Sequence, residues 1–219
     1  MMKRALEVPD HNKTLVKWDN YFFNVCKTVA ENSSCLSRHI GAVMVRDKSI
    51  VSAGYNGPPR GVIPCDQRWV VDKEMCDKAG FNQEDLPDHI IGMCPRYVSE
   101  MGFSSGQGLE WCVAGHAERN TLINAARAGI KTKNCKLYMD CGVPCTPCLV
   151  EIINAGIEEI IVTKYEFYDQ SAKYLLEQSN LRIRLYTHFC EHVGLIKPPV
   201  LKSEKGGFCS DCGMYMGRG

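Results

Sequence analysis

At 219 residues, 45% hydrophobic and 23% charged, the chain has room for one well-cored domain, and its composition sets aside disordered, collagenous and coiled-coil architectures. Its 26 basic and 25 acidic residues leave a formal net charge of +1, so no overall field draws it to nucleic acid or an anionic membrane. The 13 cysteines are an odd number, which forbids complete pairing. With no apolar leader and no stretch near the ~18 apolar residues of a membrane span, a cytoplasmic protein is expected, its thiols serving metal rather than disulfides.

Residues 1–14 are polar and read as a loose arm. Leu15, Val16, Tyr21, Phe22, Val25 and Val29 then recur at helical spacing, predicting a helix that runs to about Ala30. β-rich runs over 40–45 and 50–55, separated by Arg46-Asp47-Lys48-Ser49, predict a hairpin. From 57 to 115 the chain is rich in Gly, Pro, Asp and Cys with weak periodicity; a metal-tied insertion without a hydrophobic core of its own is expected. Helices over 116–128, 146–155 and 171–178 then alternate with strands over 136–140, 159–163 and 181–186. Gly129, Gly156 and, at some cost, Asn180 suit left-handed helix ends. The pattern predicts a three-layer α/β/α sandwich around a mixed five-stranded sheet, its later strands parallel because helical crossovers join them. One domain is expected over 1–186, followed by a cysteine-containing tail over 187–219.

The chemistry concentrates at two predicted helix starts, His116-Ala117-Glu118 and Pro144-Cys145-Thr146-Pro147-Cys148. Cys145 and Cys148 share a face of a first helical turn, where the helix dipole favours thiolates. One histidine and two thiolates leave zinc's fourth position for water, the pattern of a catalytic site. Glu118 is not needed as a ligand and is free to carry protons. A bare C-x-x-C is as often a structural knuckle, and a lone H-x-E is nearly uninformative, but the two together at helix starts favour catalysis. In the tail, Cys190 and His192 with Cys209 and Cys212 could close another zinc site, or be a thiol-bearing disordered segment. Cys26, Cys135 and Cys141 read as small core residues.

An H-x-E pair with P-C-x-x-C is the signature of zinc-dependent nucleobase deaminases. Over roughly residues 17–165 the chain resembles the cytidine deaminase superfamily, specifically its deoxycytidylate (dCMP) deaminase branch. Beside the zinc motifs, the resemblance rests on Trp18-Asp19-Asn20-Tyr21-Phe22 and on the segment from Cys35 through Arg38 to Val43. It rests also on Gly54-Tyr55-Asn56-Gly57-Pro58-Pro59-Arg60-Gly61 and on the segment from Ser105 to Cys112. It implies hydrolysis of dCMP to dUMP and ammonia, feeding thymidylate synthesis. Zinc would lower the pKa of its bound water toward ~7. Glu118 would protonate ring N3 and then the leaving amine, while the Ala117 amide would hold the O2 carbonyl. Asn56 would bind the nucleotide, or serve as a turn residue before Gly57. Arg38 and Ser105 are further substrate candidates, Arg38 because a family arginine is replaced in Asn32-Ser33-Ser34-Cys35.

The resemblance further implies a structural zinc on Cys35, Cys65, Cys94 and Cys112, with Cys76 competing for one place. It also implies a homohexamer activated by dCTP with Mg2+ and inhibited by dTTP, through Arg127, Gly54, Tyr55 and Gly57. Arg119, where relatives carry a neutral residue, is expected to add positive charge near the site. The rival readings are a bifunctional dCMP/dCTP deaminase and, from another class, a zinc-dependent nucleic-acid binding or editing protein, which lacks a basic-aromatic stripe here.

Overall fold

The computed structural model describes residues 10–98, 108–167 and 170–186, together with 207–208 and 215–216. Helix α1 (Asp10–Ala30) begins earlier than the apolar periodicity suggested, and turns Trp18, Phe22 and Cys26, each four residues apart, toward the sheet. β1 (Gly41–Arg46) and β2 (Ser49–Tyr55) form the antiparallel hairpin. Its turn is tighter than four polar residues implied: only Asp47 and Lys48 bridge the strands, with φ of 50° and 61°. Two left-handed turn residues give the twist that suits a two-residue hairpin.

The segment after β2 is more ordered than expected. It carries four short helices, α2 (Cys65–Val71), α3 (Lys73–Lys78), α4 (Asp88–Ile91) and α5 (Pro95–Val98), and 3-10 turns at Gln83–Asp85 and Leu109–Trp111. Contrary to the expectation of a core-free insertion, Trp69, Met75, Cys76 and Ile90 bury one another. Trp69 anchors this cluster, its indole N–H donating to the Met93 carbonyl at 2.8 Å. The two ends of the insertion clasp each other, for Gly57 and Gly115 exchange backbone hydrogen bonds at 3.1 and 2.8 Å.

The alternating half follows as α6 (Ala117–Arg127), β3 (Lys136–Met139), α7 (Thr146–Asn154), β4 (Glu159–Val162), α8 (Gln170–Gln178) and β5 (Arg182–Leu185). Gly129 and Gly156 take the left-handed conformation expected of helix ends, and Asn180 does not. The sheet order is β2-β1-β3-β4-β5, antiparallel across β1 and parallel from β3 to β5, so the mixed five-stranded sandwich holds. Strand alternation feeds two cores. Ala42, Met44, Leu137, Met139, Ile160 and Val162 meet the α6–α8 layer, while Val43, Val45, Tyr138 and Ile161 meet α1.

A buried ion pair fastens α1 to the far strand. Asp19, fully buried, accepts from the Tyr138 hydroxyl at 2.9 Å and from both Arg184 Nη atoms of β5 at 2.5 and 2.7 Å. β6 (Gly207–Phe208) and β7 (Tyr215–Met216) pair antiparallel on either side of the Cys209 and Cys212 positions in sequence. Among the described residues no helix is long and apolar enough to cross a membrane.

Candidate active site

α6 and α7 start side by side where β3 ends, the edge at which α/β sheets present ligand sites. His116 is the N-cap of α6 and Cys145 the N-cap of α7, both with extended backbone, and Pro147 pre-shapes the first turn of α7. Cys148, one turn into α7, is buried. His116 Nδ1 lies 3.5 Å from Cys145 Sγ and 3.3 Å from Cys148 Sγ, and the two sulfurs are 3.5 Å apart. Tetrahedral zinc with bonds of about 2.0–2.3 Å sets its ligand atoms about 3.5–3.8 Å apart. The triangle therefore fits zinc, and among the described residues no other His, Cys, Asp and Glu atoms gather within 4.8 Å of one another in threes.

The electrostatics suit thiolate ligation. The hydrogen bond shared with Cys148, then that with His116, draws Cys145 down to about 5 despite burial, and the same contact with burial pushes Cys148 up. The Cys145 and Glu118 hydrogen bonds raise His116 to about 10. Glu118 is buried, with Oε1 3.7 Å from His116 Nδ1. Burial presses its carboxyl upward, but hydrogen bonding to His116, the imidazolium charge and its own backbone N–H outweigh this and hold it below the usual range. A charged carboxylate beside the metal position is a proton acceptor at rest. The first α6 amide to bond within the helix is that of Asn120, to the His116 carbonyl, so the Ala117 N–H in the first turn has no intrahelical acceptor.

Other sequence-derived residues fall into three groups. Around the site, Asn56 is buried and heavily committed. Its Oδ1 accepts from the Ile40 amide and the Ser33 hydroxyl, and its Nδ2 donates to the Arg38 carbonyl, leaving one N–H for a ligand. This clamps residues 33–40 against the end of β2. Arg38 lines a cavity of about 520 Å³ along residues 33–39 with Asp66. The sequence reading of Arg119 needs correction: its guanidinium forks onto the Glu151 carboxylate of α7 at 2.9 and 3.0 Å, so the extra charge is neutralised. Cys141, read as a core residue, packs partly buried against the main core on the side near Glu118, its thiol raised first by burial and then by the Glu118 and Asp140 charges. Cys26 and Cys135 are fully buried core residues, as expected.

Along β2 and α6, Gly54 lies directly beneath the helix, where a Cβ would meet Thr121 N at 2.4 Å. Tyr55 is half-exposed and its carbonyl accepts from Asn120 Nδ2. Arg127 is exposed in the last turn of α6. Cys65, Cys94 and Cys112 of the insertion approach Cys35, which precedes β1, and burial first, then these neighbouring thiols, raises Cys65 to about 11. They do not close to ligand distance. Cys76 is elsewhere, donating to the Trp69 carbonyl inside the insertion's own core. Ser105, Cys190, His192, Cys209 and Cys212 lie outside the described residues.

The family model described as cytidine and deoxycytidylate deaminase zinc-binding region matches residues 16–164. A deoxycytidylate deaminase of Schizosaccharomyces pombe is 32% identical over 176 residues, 80% of this chain and 46% of its own length. That of Mycobacterium phage D29 is 31% identical over 147 residues, 67% of this chain and 94% of its own. The chain spans about half the length of the fungal relatives it matches. The crystal structure of an apo dCMP deaminase from cyanophage S-TIM5, 16% identical, covers 77% of this chain and 97% of its own with a TM-score of 0.50, and shares the fold. With the matched segment containing His116, Glu118, Cys145 and Cys148, this chain belongs to the cytidine and deoxycytidylate deaminase family.

Proposed function

We propose that the protein is a zinc-dependent deoxycytidylate deaminase, hydrolysing dCMP to dUMP and ammonia. The observation that carries this is the His116, Cys145 and Cys148 triangle with buried, ionised Glu118 beside it; the substrate is the one named for the relatives of 30% identity and above. Bound at that triangle, zinc supplies Lewis acidity that makes water acidic enough to act near neutral pH. Glu118 takes one proton from the attacking water and delivers it to ring N3, then takes the remaining proton from the new C4 hydroxyl and passes it to the amine, which leaves as ammonia as the C4 carbonyl forms. The Ala117 amide at the start of α6 donates to the O2 carbonyl, favoured by the helix dipole. The remaining Asn56 N–H and the Arg38 side chain face the nucleotide's sugar and phosphate.

The same reading includes a second, structural zinc on Cys35, Cys65, Cys94 and Cys112, whose grouping around Cys65 supports it. It includes a homo-oligomer, a hexamer, working in the cytoplasm and regulated by dCTP with Mg2+ and by dTTP. Support for regulation through Arg127 is its exposed positive charge in the last turn of the helix whose first turn holds Glu118.

The test is ammonia release from dCMP, dCTP, cytidine and a cytosine-containing single strand. dCMP is expected to be the substrate, with dUMP as product. Glu118→Gln should lower turnover about 10²–10⁴-fold with zinc and fold intact, whereas His116→Ala should lose the catalytic metal. A Glu118→Gln protein working at the parent rate would refute the mechanism, and consumption of dCTP in place of dCMP would refute the substrate.

A further inference from the structure

The sheet has a second built cavity at the end opposite the metal ligands. It holds about 570 Å³, within the range of small-molecule sites, and is bounded by the hairpin turn, the loop entering β3 and the middle of α1 at Trp18 and Phe22. None of His116, Glu118, Cys145 or Cys148 lines it. β3 begins in it at Lys136 and ends at Met139, next to the metal edge, so roughly 10 Å of strand separates the two sites.

The lining is unbalanced in charge. Arg46, Lys48, Lys131, Lys133 and Lys136 face Asp47 and Glu158. Lys136 is spoken for by Glu159 at 2.9 Å and Glu158 at 3.9 Å, and Glu158 also meets Arg182 at 3.3 Å. Arg46 is held in place by donating to the Lys131 carbonyl at 2.9 Å, an uncharged partner that leaves its positive charge uncompensated. Lys131 and Lys133 form no ion pair among the described residues, and the Lys133 stem is rooted against Gly156. Lys48 lies over the Trp18 ring at 5.7 Å, while the opposite wall is core: Phe22, Val45 and Tyr138.

The backbone is unusual at the same place. Of the described residues, the three non-glycines with left-handed φ are Asp47, Lys48 and Asn134, and all three line this cavity. At Asp47 and Lys48 this conformation belongs to the two-residue hairpin turn, which fixes the rim of the cavity. Several unpaired cations in one concave pocket, with rigid walls, call for a compact ligand of several negative charges. A nucleic-acid strand would need a continuous basic stripe instead.

We propose that this cavity is a second ligand site, taking a small phosphate-bearing molecule whose phosphates contact Arg46, Lys131 and Lys133. It is independent of the deaminase reading, since it shares no residue with the metal site. The test is calorimetric titration of the full-length, zinc-loaded protein at low ionic strength with inorganic tripolyphosphate and, separately, ATP. Saturable one-to-one binding is expected. The exposed pair Lys131→Glu/Lys133→Glu should weaken it at least tenfold, and Glu118→Gln should not change it. Lys73→Glu/Lys78→Glu makes the same change in net charge at exposed positions away from the cavity and should leave binding intact. Tighter binding of ATP than of tripolyphosphate would place its base at Trp18, and equal binding would assign the site to the phosphates alone. The proposal is overturned if neither probe saturates, if the Lys131/Lys133 variant binds like the parent, or if the Lys73/Lys78 variant weakens binding equally.

Discussion

Adding a single methyl group at Gly54 tests how tightly the catalytic helix is seated on the sheet. An alanine Cβ there would stand 2.4 Å from Thr121 N, 2.7 Å from Thr121 Oγ1 and 2.8 Å from Asn120 C, where ordinary contact begins at 3.4 Å. The atoms it meets are mainly helix backbone, which cannot rotate away as a side-chain tip could. Thr121 is further pinned: its hydroxyl donates to the Ala117 carbonyl at 2.8 Å, and its carbonyl accepts from Ser52 Oγ at 2.8 Å. Relief therefore requires α6 to lift by about 1 Å as a unit, carrying His116 and Glu118 away from Cys145 and Cys148. Overpacking of this kind costs about 1–3 kcal/mol. At about 2–4 °C per kcal/mol for a domain of this size, the melting temperature should fall by about 2–12 °C. A misplacement of that size also lowers turnover by about 10²-fold. Circular-dichroism melts and dCMP turnover of Gly54→Ala should be compared with Gly57→Ala, whose added Cβ finds nothing closer than Tyr55 Cε2 at 3.6 Å. Gly57→Ala should stay within about 0.5 kcal/mol of the parent. If Gly54→Ala melts and turns over like the parent, or Gly57→Ala is the more damaged, the packing account is wrong.

Removing Asp19 strands the Arg184 guanidinium, so Asp19→Ala should lose about 3–5 kcal/mol in urea melts, and Asp19→Leu/Arg184→Leu should recover part of it. Asp140 titrates at about 6, lifted by burial against the opposing Gly41 amide and Lys27 charge. The native chain then keeps a proton that the unfolded chain releases, so this group's contribution to stability falls as pH rises from about 4 to 6. Asp140→Asn keeps an acceptor for the Gly41 amide and should flatten that part of the melting-temperature profile. Metal analysis should give at least two zinc ions per chain; Cys65→Ser should lose one of them, and Cys76→Ser should keep both. An unchanged zinc count in Cys65→Ser would remove the structural site.

The elements of the alternating half were legible because each buries a periodic apolar face, and the predicted strand 159–163 differs from β4 by one residue. The candidate metal group was legible because its members sit within a few residues of two helix starts. Partnerships across long separations were not. Nothing local in Arg119 points to Glu151, nor in Asp19 to Arg184, 165 positions away. The insertion's helices are four to seven residues long, too short for a repeat of 3.6 to show, so its core built on Trp69 stayed hidden. Asn56 was noticed for its neighbours in sequence, while its bonds run to Ser33, Arg38 and Ile40 on another segment.

The clasp between Gly57 and Gly115 makes the insertion a side branch rather than a link in the main path. The chain departs from the sheet and returns to the same point, so the geometry handed from β2 to α6 does not depend on how far it travelled in between. Because closing a longer excursion costs only about 0.6 kcal/mol per doubling, its length is nearly free to drift. Between Cys65, Cys94 and Cys112, residues 58–114 can thus be shortened, extended or exchanged, provided the two glycines still meet beneath Asn120, whose Oδ1 would lie 2.7 Å from a Cβ at Gly115. That makes this junction the natural place for members of the fold to acquire new surfaces while the catalytic geometry is inherited unchanged.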